Sequence, residues 1–156
     1  MDKTTLRRQL KAARSAFKPA ERRHAARASL RLALRHGLLL RSQRIGFYLP
    51  QGGEFDAHLL LNQALCMQRE CYLPILPRRG RVMRFGRVDR NTRMQPNRYG
   101  IPEPLDAKPQ LWRKPRLIGI AYECQQAETL PHDPWDMPLD AVLTERRLHR
   151  FMSNPP

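Results

Sequence analysis

The chain has 156 residues, and its 29 Lys and Arg against 14 Asp and Glu leave a formal net charge of +15. A chain of this length can bury roughly two thirds of its unfolded surface around one core, so a single domain over residues 1–152 with an unstructured tail at 153–156 is expected. No apolar run reaches the roughly 18 residues that a membrane helix needs, and the charged N-terminus lacks an apolar signal region, which points away from membrane or secreted proteins and toward a soluble cytoplasmic one.

Asp2 is placed to cap a first helix in which Leu6, Leu10, Ala13 and Phe17 recur on one face, with Lys3, Arg7, Lys11 and Arg14 on a neighbouring basic face. Pro19 suits the first turn of a second helix that Gly37 ends, and Arg23, Arg27, Arg31 and Arg35 line up along it at four-residue intervals. The run Ile45 to Leu49 reads as a strand entering a turn at Gln51-Gly52-Gly53. Asp56 is placed to cap a third helix with Leu59, Leu60, Ala64 and Met67 inward, and Cys71 to Leu76 reads as the next strand, which together make a right-handed βαβ unit. Residues 82–88 alternate as a strand on or near an edge, followed by an arginine-rich, turn-prone stretch over 89–98. After residues 99–116 come a strand at Leu117 to Tyr122, a short helix or turn around Gln125 to Leu130, and a strand at Ala141 to Thr144. Helices alternating with strands predict an α/β class, a layered domain with a mainly parallel sheet. Cys66, Cys71 and Cys124 have neither CxxC nor metal-ligand spacing, which favours reduced thiols.

Three segments carry residues suited to chemistry. YLPQGGEFD, residues 48–56, leaves a strand at its carboxyl end, where ligands of open sheets collect, and its Glu54 and Asp56 can accept hydrogen bonds from an NH-rich ring. A helix cap and a solvated loop residue explain the same two carboxylates. Lys3 and Arg7 stand one helical turn apart and can converge on one anion, as phosphoryl transfer requires, or can form an ordinary solvated basic face. Asp136 and Asp140, bracketed by Pro134, Trp135 and Pro138, suit a hard cation completed by water and nucleotide oxygens, and suit capping equally well. His132 has no partner that suggests a metal cluster.

In this order KTTLR at 3–7, YLPQGGEFD at 48–56, YLPIL at 72–76, VMRF at 82–85, GIPEP at 100–104, and LIGIAYECQ through LPHDPWDMPLDAVLTE at 117–145 resemble the 5-formyltetrahydrofolate cyclo-ligase family, also called methenyltetrahydrofolate synthetase. The resemblance implies a three-layer α/β/α fold and a ligase of one-carbon metabolism. Such an enzyme uses ATP and magnesium (Mg2+) to phosphorylate the formyl oxygen of 5-formyltetrahydrofolate, so that N10 closes the ring to 5,10-methenyltetrahydrofolate. It further implies ATP contact by Lys3, Thr4, Thr5, Leu6 and Arg7, folate contact by Gln51, Glu54 and Asp56, and placement of magnesium by Asp136.

The chain departs from the family pattern in one place. Between GIPEP and LIGIAY, where the family has a further strand, a glycine-rich loop that wraps the ATP phosphates and a following helix, this chain has only Leu105 to Arg116. Reduced or lost turnover and lowered stability, or dimerisation through an exposed sheet edge, are therefore expected. A second functional class follows from charge: the Arg23 to Arg35 stripe, with Arg78, Arg79, Arg81, Arg84, Arg87, Arg90, Arg93 and Arg98, would let an inactive remnant bind nucleic acid through backbone phosphates. Phe85 is the lone aromatic of that second stretch, which is little for base stacking.

Overall fold

The computed structural model describes residues 2–77, 79–80, 82–113 and 115–151. Arg78, Arg81 and the tail expected to be unstructured lie outside the described residues. The chain forms two compact units, one drawn from the described residues of 1–36, 52–56 and 116–156, the other from those of 37–51 and 57–115.

In the first unit α1 spans Lys3–Ser15 and α2 spans Pro19–Arg35. Asp2 caps α1 by accepting from the Thr5 amide at 2.8 Å, and Pro19 opens α2 while the Glu21 carboxylate accepts from the Lys18 amide at 2.7 Å. Both caps satisfy amides that have no partner inside a helix. Gly37, at φ +66°, adopts the left-handed conformation that ends α2 without a Cβ clash. The turn between the helices is fastened by Arg22, whose guanidinium donates to the carbonyls of Phe17 at 3.0 Å and Arg14 at 3.1 Å. The strands β6 (Ile118–Ile120), β7 (Ala141–Leu143) and β8 (Leu148–Arg150) form one sheet in that order, β6 parallel to β7 and β7 antiparallel to β8. Tyr122 anchors the core of this unit, with Phe17 and Phe55 ring centroids at 4.3 and 4.7 Å and Ala25 packed alongside.

The second unit holds β1 (Arg44–Gly46), α3 (His58–Cys66), β2 (Glu70–Ile75) and β3 (Arg84–Val88), in sheet order β1-β2-β3. The predicted βαβ unit is present, since β1 and β2 pair in parallel with α3 between them in the chain, and β3 lies on the edge, antiparallel to β2. The apolar side of α3, Leu60, Leu61 and Ala64, is buried, as are Cys71, Tyr72 and Leu73 of β2. Asp56 does not cap α3. The N-cap is Ala57, one residue beyond the position read from the sequence, and Ala57 has no side chain able to make a cap bond. The strand read as Ile45 to Leu49 ends at Gly46, and beyond it the Phe47 amide still reaches the sheet, at 2.8 Å from the Tyr72 carbonyl.

Residues 89–98 contain a strand, β4 (Met94–Pro96), paired antiparallel with β5 (Pro102–Pro104) across a turn in which the Asn97 side chain accepts from the amides of Tyr99 and Ile101. The short bridge after β5 is structured. Gln110 exchanges two backbone hydrogen bonds with Phe85, of 2.8 and 2.9 Å, and so covers part of the outer edge of β3. Two residues on, the Trp112 ring stacks on Phe85 with centroids 4.9 Å apart and meets Tyr72 edge-on at 5.2 Å. Gly46 makes room for it, because a Cβ there would stand 3.2 Å from both the Phe85 and the Trp112 rings. Unpaired edge amides invite other strands, and this bridge closes those at Phe85.

Candidate functional site

The N-terminus of α1 brings together residues from opposite ends of the chain. The Lys3 ammonium lies 2.5 Å from Asp133 Oδ2 and 2.6 Å from Asp136 Oδ2. The two carboxylates share one turn, in which the Asp133 amide donates to Asp136 Oδ2 at 2.9 Å and the Asp136 amide donates to the Asp133 carbonyl at 3.0 Å. Hydrogen bonds to Asp133 and then Asp136 raise the pKa of Lys3 above its ordinary value. The bond from Lys3 first, then the Asp133 backbone, holds the Asp136 carboxyl below its ordinary range, with the positive charges of Lys3 and Arg7 adding to the effect. Lys3, Arg7 and Asp136, assigned to different ligands in the sequence, thus form one electrostatic cluster.

The other residues of this strip have separate duties. Thr5 gives both its amide and its hydroxyl to Asp2, while Leu6 is buried at 8% exposure and serves the core. Thr4 and Arg7 are exposed. The carboxylate pair read from sequence, Asp136 with Asp140, needs correction. Asp140 Oδ2 accepts from the Leu117 amide at 2.6 Å and the Asp140 amide donates to the Leu117 carbonyl at 2.8 Å, so Asp140 ties the start of β6 to the start of β7. Asp133, which no motif singled out, is the carboxylate that stands beside Asp136.

Glu54 and Asp56 flank the buried Phe55 in the same unit, each half-buried. Here Arg22 is a residue that sequence reasoning passed over. A Cβ on Gly53, whose φ is +82°, would stand 3.3 Å from the Arg22 guanidinium, so the glycine lets that cation lie against bare backbone. Tyr122 is buried and its hydroxyl has no hydrogen-bond partner among the described residues. Burial pushes the Tyr122 phenol up, Arg22 opposes this, and Asp56 and Glu145 add to it, which places three charged groups around that ring.

A cluster that no sequence signal marked holds the end of the same sheet. Glu123 accepts from the Thr144 hydroxyl at 2.6 Å, Arg147 Nε at 2.8 Å and His149 Nε2 at 3.3 Å. Burial alone would raise the Glu123 carboxyl, but these three bonds and the Arg147 charge outweigh it and hold the pKa down at about 2.

In the second unit an open cavity of about 650 Å³ has an apolar floor of Leu49, Leu61, Leu65, Leu73 and Val88, and a polar rim of Asn62, Asp89, Arg90 and Thr92. Arg90 donates to Cys66 Sγ at 2.8 Å, while the Asp89 carboxylate accepts from the Asn91 amide and the Thr92 hydroxyl. Gln51 is exposed two residues beyond Leu49. Cys66, Cys71 and Cys124 are free thiols.

Among the described residues no three His, Cys, Asp or Glu side chains converge as a metal cage. The Asp133 and Asp136 oxygens do converge on one cation, the ammonium of Lys3, and magnesium commonly takes just one or two carboxylates, its remaining positions going to water and phosphate. The donor set therefore fits a hydrated magnesium ion. For phosphate, Lys3 and Arg7 offer point charges, and residues 105–116 add no glycine.

The sequence model of the 5-formyltetrahydrofolate cyclo-ligase family matches residues 1–112. This chain belongs to that family. Cyclo-ligases are ligases, and the membership read from KTTLR, YLPQGGEFD and GIPEP is borne out. The chain is 28% identical over 151 residues to the 5-formyltetrahydrofolate cyclo-ligase of Haemophilus influenzae, covering 69% of this chain and 81% of that one. Two solved cyclo-ligase-like structures share its mixed α/β fold. The 5,10-methenyltetrahydrofolate synthetase of Aquifex aeolicus superposes with a TM-score of 0.75 at 22% identity, covering 100% of this chain and 96% of that one. The corresponding synthetase of Mycoplasma pneumoniae gives a TM-score of 0.62 at 22% identity, covering 93% and 99%. No helix among the described residues of this cyclo-ligase family member is long and apolar enough to cross a membrane.

Proposed function

We propose that this chain is a cytoplasmic 5-formyltetrahydrofolate cyclo-ligase by descent, acting with ATP and magnesium, whose turnover is reduced or lost. In the reaction proposed, the γ-phosphoryl group passes to the formyl oxygen of 5-formyltetrahydrofolate. The N10 amine then attacks that carbon, and phosphate leaves as the ring closes. Lys3 and Arg7 would neutralise the phosphates, with Thr4, Thr5 and Leu6 shaping the first turn of α1 that carries them. Magnesium, when bound at Asp136, would supply charge neutralisation between phosphate oxygens. Gln51, Glu54 and Asp56 would hold the folate. The cavity beside Leu49 supports a folate reading of the second unit, since an apolar floor with few polar groups suits a bicyclic ring.

The observation that carries the expected loss is the bridge between β5 and β6. Leu105 to Arg116 contains no glycine, and the sole glycine after Gly100 is Gly119, inside β6. The backbone of the bridge is engaged with β3 at Gln110, which supports this reading, since those two groups are taken from any phosphate-binding role. The alignment with the Haemophilus relative also supports a shortened chain: it runs over 151 positions yet takes up only 69% of these 156 residues. Exposed point charges contribute about 1 kcal/mol or less each and cannot orient a γ-phosphate without a nest of amides. One folding domain over residues 1–152 is proposed as well, because the chain enters each compact unit more than once.

A coupled assay following methenyl product by absorbance, with calorimetric titration of ATP and magnesium, tests this reading. Little or no product and weak ATP binding are expected. Turnover at the rate of intact relatives would overturn the loss, and complete absence of folate and nucleotide binding would overturn the cyclo-ligase reading itself.

One observation favours a second reading, an inactive remnant that binds nucleic acid. Arg23, Arg27, Arg31 and Arg35 are all exposed on α2, and none of them enters an ion pair among the described residues. In the second basic stretch, by contrast, Arg87 faces Glu70, Arg93 pairs with Asp106 and Arg98 lies over the Tyr99 ring. Filter binding of generic RNA at two salt concentrations separates the readings, because phosphate contacts lose affinity steeply with salt. No retention at low salt removes the second reading.

A further inference from the structure

Asp133 has no role in the reading above, yet its carboxylate makes the shorter of the two contacts to Lys3, 2.5 Å against 2.6 Å for Asp136. Their shared turn fixes both Oδ2 atoms toward the same point, since Asp136 Oδ2 also accepts from the Asp133 amide and the Asp136 amide returns a bond to the Asp133 carbonyl. The seat between them is built for a cation, and the ammonium of Lys3 fills it. In this state two of the three donors of the Lys3 ammonium are committed to carboxylates. The ammonium and two carboxylates carry one net negative charge between them, which offsets the attraction of the neighbouring Arg7 for a polyphosphate approaching α1.

A divalent cation reverses that sign. Added to the same three groups it makes their sum one positive charge, binds the two carboxylates more strongly than a monovalent ammonium does, and releases Lys3 toward solvent. We propose that Asp133 is a positioning residue for Lys3, and that Asp133 and Asp136 form a seat in which the Lys3 ammonium and a hydrated divalent cation exchange, so that Lys3 meets a polyphosphate only after the exchange. The inference rests on the magnesium and ATP roles proposed above and deepens them. It makes binding of the two ligands ordered, the cation first or together with the anion. The contacts are half-exposed, at 28% for Lys3 and 39% and 41% for the carboxylates, so the exchange needs no opening of the core.

The test uses the full chain with 13C,15N-labelled lysine. Its five lysines are Lys3, Lys11, Lys18, Lys108 and Lys114, and Lys3→Met identifies the side-chain signal of the first. In the unmodified protein that ammonium signal is expected to be protected from exchange with water. Magnesium chloride should shift it to the free-lysine position, while potassium chloride of equal ionic strength should not. Asp133→Asn, which leaves only the Asp136 contact, should move the signal part of the way to the free-lysine position without magnesium and bind ATP in EDTA about threefold more tightly than the unmodified chain, as expected for removal of one exposed ion-pair partner. Asp133→Glu should restore the protected signal. A Lys3 signal that magnesium moves no further than potassium does, or that Asp133→Asn leaves in place, overturns the exchange. Displacement of Lys3 by magnesium with no ATP binding in any variant keeps the exchange and removes the nucleotide role instead.

Discussion

Sheets β1-β2-β3 and β6-β7-β8 share one plan, a parallel pair followed by an antiparallel third strand, and they differ in how the parallel pair is connected. From β1 to β2 the chain returns through α3, which buries Leu60, Leu61 and Ala64. From β6 to β7 it returns through a 3-10 turn at Glu123–Gln125 and irregular chain that leaves Leu130, Trp135 and Met137 exposed by 64%, 77% and 72%. A helix satisfies its own backbone and covers the sheet with apolar area; irregular chain does neither, so it must be pinned at points. The pins are Glu123 at one end, Lys3 against Asp133 and Asp136 in the middle, and Asp140 at the other end. One crossover is held by area and the other by charge, so the first should respond to side-chain volume and the second to pH.

The largest expected effect breaks the comparison on the side held by area. Trp112→Ala removes a ring that contacts Phe85 and Tyr72 over Gly46, and should cost about 2 to 3 kcal/mol, with the urea midpoint falling accordingly. The loss should be indifferent to salt, because no charge is involved. A change within a few tenths of a kcal/mol would mean that the Leu105 to Arg116 bridge is slack and does not close the edge of β3.

On the side held by charge, Glu123→Gln should cost about 1 to 2 kcal/mol at neutral pH, since Gln keeps the geometry but loses the charge-assisted bonds from Arg147 and Thr144. The sign of the acid response follows from the depressed carboxyl. With a folded pKa of about 2 against an ordinary 4.5, the stabilisation is fully present above pH 4.5 and is lost as pH falls toward 2. Thermal unfolding between those values should therefore show a steeper acid loss in the unmodified chain than in Glu123→Gln. Parallel curves would show that the cluster contributes nothing through its charge.

The area-held half was largely legible in the sequence and the charge-held half was not, for physical reasons. Asp2, Pro19 and Gly37 mark helix ends by local backbone chemistry, and the apolar runs around β1 and β2 with α3 between them announce a βαβ unit. The strands β4 and β8, Met94–Pro96 and Leu148–Arg150, are three residues long without alternation, and they exist because a neighbour supplies the ladder. Lys3 and Asp136 could be picked out one at a time from their motifs, but their contact joins residues 133 positions apart and no spacing rule reaches that far. The same distance hid Asp133 and led Asp140 to be paired with Asp136, although Asp140 serves the backbone of Leu117. Arg22 was lost among the many arginines of a +15 chain, and what distinguishes it is the open backbone of Gly53.

The smallest expected effect sharpens the comparison by placing one methyl group in each sheet. Gly86 in β3 faces Ile75 Cδ1, Ala107 Cβ and Pro104 Cγ, which a Cβ would approach to 2.6, 2.7 and 2.9 Å. The last two atoms belong to groups with no rotamer to yield, so Gly86→Ala should strain the backbone and cost about 1 to 2 kcal/mol. Gly119 in β6 faces Leu139 Cδ1 at 2.8 Å and Val142 Cγ2 at 3.2 Å. Leu139 is 40% exposed at the end of the irregular crossover and can swing its tip aside, so Gly119→Ala should stay within about 0.5 kcal/mol of the unmodified chain. Denaturation of both variants side by side decides the matter. Equal losses would show that the β6 to β7 crossover is as tightly packed as the helical one, and the division between area and charge would then fall.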